Sequence, residues 1–241
     1  MRLDVFLCDT GLCSSRTEAK GFITEGAVKV NGKVITKPAY EVAEGTLDVS
    51  LDRSSKKYVS RGGLKLEAAL DTFGIDVAGA YALDVGASSG GFTDCLLKRG
   101  AAHVIAVDSG TSQLSQILLD DERVTSVEKF NARFMKRDDL EYVPELAVMD
   151  VSFISATHII PAVYSVLSEG GQFVCLIKPQ FEVGRANIGK GGIVKDARAR
   201  ERALSDVVDF AKSVGFEFCG SIVSPIVGGD GNTEYLAYFR K

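Results

Sequence analysis

The sequence predicts an α/β fold: a doubly wound, mostly parallel sheet in the larger part, preceded by a small α+β module. Three observations carry this. From residue 62 onward, strand-like apolar runs alternate with helical ones at the spacing of crossover units. The first fifty residues instead crowd two short helical patterns, a hairpin signal and a further strand into one segment. Between the two, Asp52–Ser60 is polar and without apolar periodicity, as a linker would be. The expected division is 1–52, a linker at 53–61, and 62–241.

In the first module, Val5, Phe6, Leu7 and Leu12 suggest a short helix ending near Gly11. Ser15–Arg16–Thr17–Glu18 has the form of a capping box, opening a second helix with Ala19, Phe22 and Ile23 on one face. Val28–Lys29–Val30 and Lys33–Val34–Ile35 alternate on either side of Asn31–Gly32, the strongest short-range hairpin signal. A third strand is expected over Thr46–Leu51. In the larger part, Leu64, Ala68, Ala69, Leu70 and Phe73 predict a helix with Lys65 near its start. Strands are expected at Tyr81–Val85, His103–Asp108, Val124–Glu128, Leu146–Asp150 and Gln172–Lys178. An amphipathic helix over Ala197–Val214 and two last strands at Phe216–Val227 and Glu234–Phe239 follow. Pro179–Asp196, with Gly184, Gly189, Gly191 and Gly192, reads as one long loop, and its cations give it the character of a substrate lid.

Composition narrows the function classes. With 46% hydrophobic and 25% charged residues the 241-residue chain has the balance of a globular protein. Its longest apolar runs fall far short of the ~18 residues that span a bilayer, and Asp4 and Asp9 interrupt the N-terminal one, so neither a membrane span nor a signal peptide is expected. The five cysteines, at 8, 13, 95, 175 and 219, have no CxxC pairing, which points away from a disulfide framework or metal site and toward a reducing, cytoplasmic setting. Net charge is −4, with +1 in residues 1–60 and −5 in the rest, so any nucleic-acid contact must come from a local patch. Arg2, Arg16, Lys20, Lys29, Lys33 and Lys37 are candidates to line one such surface, although the same charges suit an ordinary solvated face.

The segment Leu83–Asp84–Val85–Gly86–Ala87–Ser88–Ser89–Gly90–Gly91–Phe92–Thr93 joins the first strand of the large sheet to a helix. Its small residues let a ligand approach the backbone at the carboxyl edge, where such sheets bind nucleotides. It lacks the Walker and GxGxxG patterns. Asp108 ends the next strand, where a carboxylate can accept both hydroxyls of a ribose. A nucleoside-containing cofactor follows; this pattern alone leaves adenosylmethionine and a dinucleotide open. Asp150 ends the fourth strand of the sheet and Lys178 the fifth, and a lysine at a buried strand end calls for a partner. Asp150 is the expected one. Lys65 and Glu234 would complete a ring of two lysines and two acids, which is equally a description of a structural ion cluster. His103 and His158 lie in apolar runs without catalytic neighbours and receive no chemistry.

These residues sit in recognisable surroundings. Tyr58–Leu66, Leu83–Phe92, Asp150–Ser155, Lys178–Glu182 and Gly231–Glu234 resemble the FtsJ/RrmJ-like ribose 2′-O-methyltransferases, and the whole chain is similar to the TlyA family, whose members also carry the name hemolysin. The first module resembles the RNA-binding domain of the small-subunit ribosomal protein S-four. Around Ser109–Gly110–Thr111 the sequence departs from the family pattern. The resemblance implies a Rossmann-like fold binding S-adenosyl-L-methionine and acting on ribosomal RNA or ribosomal subunits, with no metal. It implies Lys65, Asp150, Lys178 and Glu234 as a catalytic tetrad. It also implies a cofactor site from Asp84, Gly86, Ala87, Ser88, Ser89, Gly90, Gly91, Phe92, Asp108, Asn131 and Asp150, and RNA contacts at Arg61, Arg185 and Lys190 besides the basic residues above. Because a lysine is almost wholly protonated near neutral pH, Lys178 would orient the hydroxyl and receive its proton late. Competing functions are a membrane-acting hemolysin, for which no apolar span or basic amphipathic helix is found, and a non-catalytic RNA-binding protein.

Overall fold

The computed structural model describes every residue except 14, 25, 44, 46, 47, 53–56, 229 and 230, and the side chain of Thr17. Four of the nine residues of the expected linker, 53–56, therefore lie outside the described residues. The chain divides into two compact units, Met1–Arg61 and Gly62–Lys241.

In the first unit, helices α1 (Leu3–Asp9) and α2 (Arg16–Thr24) pack beside a three-stranded antiparallel sheet. Helix α2 starts where expected, with the Glu18 amide donating to Ser15 Oγ at 3.2 Å. Strands β1 (Val28–Val30) and β2 (Lys33–Val34) form the hairpin, and Asn31 and Gly32 both take the positive φ that a tight turn of this hand requires. The third strand, β3 (Val49–Leu51), pairs with β1 on its other side; residues 46 and 47 of the expected strand are outside the described set. Leu3, Leu7, Phe22, Ile23, Val28 and Val30 form the core.

The second unit opens with α3 (Gly62–Phe73) and continues β4 (Tyr81–Val85), α4 (Gly91–Lys98), β5 (His103–Val107), α5 (Gln116–Leu119), β6 (Val124–Val127), β7 (Leu146–Met149), α6 (Ile160–Val166), β8 (Gln172–Ile177), α7 (Pro179–Glu182), α8 (Ala197–Val214), β9 (Glu217–Val223) and β10 (Tyr235–Arg240). Its seven strands stand in the order β6-β5-β4-β7-β8-β10-β9. The first five are parallel, and β4, β5, β7 and β8 are buried almost throughout, as crossover strands covered on both faces are, while the edge strand β6 is largely half-buried. Phe173 and Phe239, both 0% exposed, stack against each other at the centre of the core, with Val207 and Ala211 of α8 in the same cluster. No helix among the described residues is long and apolar enough to cross a membrane.

The sheet is mostly parallel, as expected, and its last two strands, whose direction the sequence left open, are antiparallel: β10 runs against both β8 and β9. Two expected boundaries change. Strand β9 stops at Val223, because Ser224 makes the last bond, to the Glu234 carbonyl, and Pro225 has no N–H to continue. The expected loop 179–196 begins instead as the short helix α7, with Pro179 at its first position, and then makes 3₁₀ turns at Arg185–Asn187 and Lys190–Gly192.

Candidate active site

The parallel strands β4, β7 and β8 end at one edge of the sheet, and β10, running the other way, begins there. That arrangement gathers the charged residues picked out by sequence. Asp150 follows β7, Lys178 follows β8, and Glu234 precedes β10, whose register sets Tyr235 opposite Ile177. Glu234 and Lys178 are thus the next positions on adjacent strands. Lys178 Nζ lies 2.6 Å from Asp150 Oδ1 and donates to Ser152 Oγ at 2.7 Å. Lys65, the fourth residue of α3, reaches back to Glu234 Oε2 at 2.5 Å. Lys65 is 8% exposed and Glu234 2%, a depth at which each charge requires the other. The result is two ion pairs at one edge with no net charge between them.

Beside them runs the glycine-rich turn after β4. The Gly86 and Ala87 amides both donate to the Val107 carbonyl, clamping the turn onto β5. A Cβ on Gly86 would stand 2.4 Å from the Asp150 carbonyl oxygen, and one on Gly90 would strike Leu118; both glycines have positive φ. Ser88 and Ser89 reach the surface, whereas Phe92 is 3% exposed. Of the expected cofactor residues, Phe92 therefore contributes its side chain to the core rather than to an open site.

Two acids flank the turn. Asp108 takes the Ser88 amide at 2.8 Å on one oxygen and the Gly110 amide at 2.7 Å on the other. Asp84 is fully buried; Thr93 donates to its Oδ2 at 2.6 Å, and Oδ1 has no hydrogen-bond partner. Burial pushes its carboxyl up to about 7, opposed by the Thr93 bond and reinforced by the charges of Asp150 and Asp108. Asn131 is exposed, and its side chain caps the Arg133 amide in a groove of about 680 Å³ shared with Phe130, Phe134 and Pro161. Its segment reaches the Asp108 backbone through the Phe130 amide. Among the described residues no cluster of His, Cys, Asp and Glu is arranged to hold a metal ion.

Sequence reasoning passed over three neighbours of the site. Ser152 needs the tertiary fold to meet Lys178. Glu182 accepts from Ser155 Oγ at 2.5 Å and from the Ala156 amide at 2.9 Å, tying α7 to the loop after β7, and its burial raises its carboxyl. Phe153, 91% exposed and at φ 65°, stands beside the Phe181 ring at 5.3 Å. A large apolar ring held out in solvent next to a charged cleft offers a face for a nucleobase.

In the first unit the basic residues divide. Arg2 and Arg16 both grip the wholly buried Asp4, at 2.9 Å and 2.8 Å, and the hydrogen bonds from Arg2 and then Arg16 lower its carboxyl to about 2. They are first of all the partners of that carboxylate, each with part of its guanidinium exposed. The hairpin register pairs Lys29 with Val34 and Lys33 with Val30, so the two lysines leave opposite faces and do not share a surface as the turn-flanking positions suggested. Lys20 and Lys37 are exposed. In the second unit Arg185 and Lys190 are exposed, and Arg61, at the end of the first, is half-buried.

Comparisons with known proteins agree with this division. Residues 58–241 match the FtsJ-like methyltransferase family and residues 1–48 the S4 domain. The chain is 43% identical to "Hemolysin A" of Brachyspira hyodysenteriae over 99% of both chains. It is 41% identical to the "16S/23S rRNA (cytidine-2′-O)-methyltransferase TlyA" of Mycobacterium tuberculosis, over 99% of this chain and 89% of that one. A solved structure named as a hemolysin, from Streptococcus thermophilus, superposes with a TM-score of 0.80 at 45% identity, covering 100% of this chain and 88% of the other.

Proposed function

This chain belongs to the TlyA family of FtsJ-like methyltransferases with an N-terminal S4 domain, and from that premise we propose that it methylates a ribose 2′-hydroxyl, that of a cytidine, in ribosomal RNA. The single observation that supports the chemistry most is the amine of Lys178, held between Asp150 and Ser152 at the edge where the glycine-rich turn lies. S-adenosyl-L-methionine, when bound, supplies an electrophilic methyl on a sulfonium.

The residues present suit that cofactor. Gly86 and Gly90 let the turn pack closely on Asp150 and Leu118, which presents the Ser88–Ser89 backbone between them at the surface, Asp84 keeps one buried oxygen without a partner for a cationic group, and Asp108 offers a carboxylate to a ribose. In the reading proposed here Lys178 touches the substrate hydroxyl, aligns it for in-line attack and, acting as the neutral amine after giving one proton to solvent, receives the hydroxyl proton as the new C–O bond forms. Asp150 and Ser152 fix the amine's position. Lys65 and Glu234 form a neutral wall that excludes a third counter-charge from the cleft. The exposed cations of the S4 unit and of the segment 184–195 supply phosphate contacts on the RNA, whether it is presented as naked RNA or within a subunit.

The test is transfer of labelled methyl from S-adenosyl-L-methionine to ribosomal RNA and to isolated subunits, with the modified ribose mapped. Label on a cytidine 2′-oxygen is expected. Label confined to a base, or binding of RNA without transfer, would overturn the reading.

A further inference from the structure

The buried polar residue Asn232 has no part in the chemistry above, yet it lies two residues before Glu234 and is 1% exposed. Both of its side-chain hydrogen bonds go to one segment. Its Oδ1 accepts from the Val194 amide at 2.9 Å, and its Nδ2 donates to the Gly192 carbonyl at 3.0 Å. Its own carbonyl accepts from the Gly228 amide at 2.8 Å. Gly228 is in turn packed on the acid: a Cβ there would lie 2.4 Å from Glu234 Oε1.

The strap held in this way, Gly189–Val194, folds back on itself. The Gly189 amide bonds the Ile193 carbonyl at 2.9 Å and the Gly192 amide bonds Gly189 at 3.1 Å. Arg200 of α8 clamps its far end through the Val194 and Lys195 carbonyls, at 3.0 and 2.9 Å. Gly191 and Gly192 adopt positive φ, which lets the strap make this tight reversal. Exposed Arg185, Lys190 and Lys195 lie in and around it, the cations available to an RNA phosphate in the second unit's long connection.

We propose that Asn232 is a positioning residue, a staple that joins this cation-bearing strap to the backbone seat of Glu234, so that RNA engaged by the strap and the Lys65–Glu234 pair keep one fixed relation. This rests on the methyltransferase reading. The residue type follows from the task. Two opposed backbone groups, one donor and one acceptor, are satisfied by one short amide; aspartate supplies only the acceptor and leucine neither.

The experiment compares the full-length wild type with Asn232→Leu and Asn232→Asp. Limited trypsin digestion without cofactor or RNA should cut after Arg185, Lys190 and Lys195 at least fivefold faster in Asn232→Leu, with Asn232→Asp in between. Single-turnover methylation of ribosomal RNA should fall at least tenfold in Asn232→Leu and partly recover in Asn232→Asp, while affinity for S-adenosyl-L-methionine stays within twofold. Wild-type scission rates in Asn232→Leu, or a loss of rate fully accounted for by the unfolded fraction in a melting curve, would overturn the proposal. If the leucine variant does not fold, Asn232→Asp carries the test: faster scission supports the staple and wild-type scission overturns it. The digestion needs neither substrate, so a wild type that methylates no RNA overturns the methyltransferase reading while the scission rates still decide the staple.

Discussion

Lys178 and Asp150 meet at 2.6 Å from neighbouring strand ends, and the same Lys178 amine also holds the Ser152 hydroxyl. The pair follows from parallel strands: β7 and β8 point the same way, so residues just beyond their ends face one cleft. An amine held by a carboxylate and a hydroxyl is fixed in place and still has a third direction for a substrate.

Lys178→Ala should lower single-turnover methyl transfer by ~10²–10⁴-fold, the usual cost of losing a positioned proton acceptor. Cofactor affinity should change little. Melting temperature, affinity and rate measured on one sample check this. A large fall in melting temperature with a near-normal rate per folded molecule would make Lys178 a tie between strand ends instead.

Asp108→Ala should weaken binding of S-adenosyl-L-methionine by roughly 1.5–3 kcal/mol, the worth of hydrogen bonds to a charged group. Part of that loss comes through the turn, because Asp108 also receives the Ser88 and Gly110 amides. Isothermal titration decides; affinity within twofold of wild type would remove Asp108 from the cofactor site.

Asp84 makes stability depend on pH. Its carboxyl lies near 7 in the folded chain, raised by burial, and near 4 when unfolded. The folded state therefore holds a proton that the unfolded state has released, and the stability this brings is full at low pH and lost as pH rises toward 7. The melting temperature of the cofactor-free protein should decline between pH 5 and 7 more steeply in wild type than in Asp84→Asn. Parallel profiles would refute a raised Asp84.

Reversing two exposed charges of the first unit, Lys20→Glu with Lys37→Glu, should weaken capture of ribosomal RNA and reduce the salt dependence of binding by about two phosphate contacts. Affinity for S-adenosyl-L-methionine should not change. Filter binding across a salt series measures both; an unaltered slope would take these lysines out of the RNA interface.

Much of this is legible in the sequence alone. Asn31–Gly32 announced its hairpin because few dipeptides tolerate two positive φ values, and the apolar stripe of 197–214 marked α8 from end to end. Lys178 stood out because a lysine is unusual after a buried apolar strand. The direction of β10 was not legible, since alternation records which face a residue occupies and says nothing of which way a strand runs. Nor was Asp4 as the anchor of Arg2 and Arg16: in sequence it interrupts an apolar run, and only the fold brings Arg16 back across twelve residues to cover it. Asn232 escaped for a similar reason, because its partners are backbone groups about forty residues away, which no side-chain pattern reveals.

Strand β10 follows β9 in the chain but lies between β9 and β8 in the sheet. Strand β9 consequently has no native partner until β10 has inserted beside β8, and Lys65, 169 residues before Glu234, finds its partner only through the same event. The first unit can close its own core well before then. That core is local in sequence, whereas the cleft depends on the long-range insertion of β10 that brings Glu234 to Lys65, so the cleft is the slower part of the fold to form.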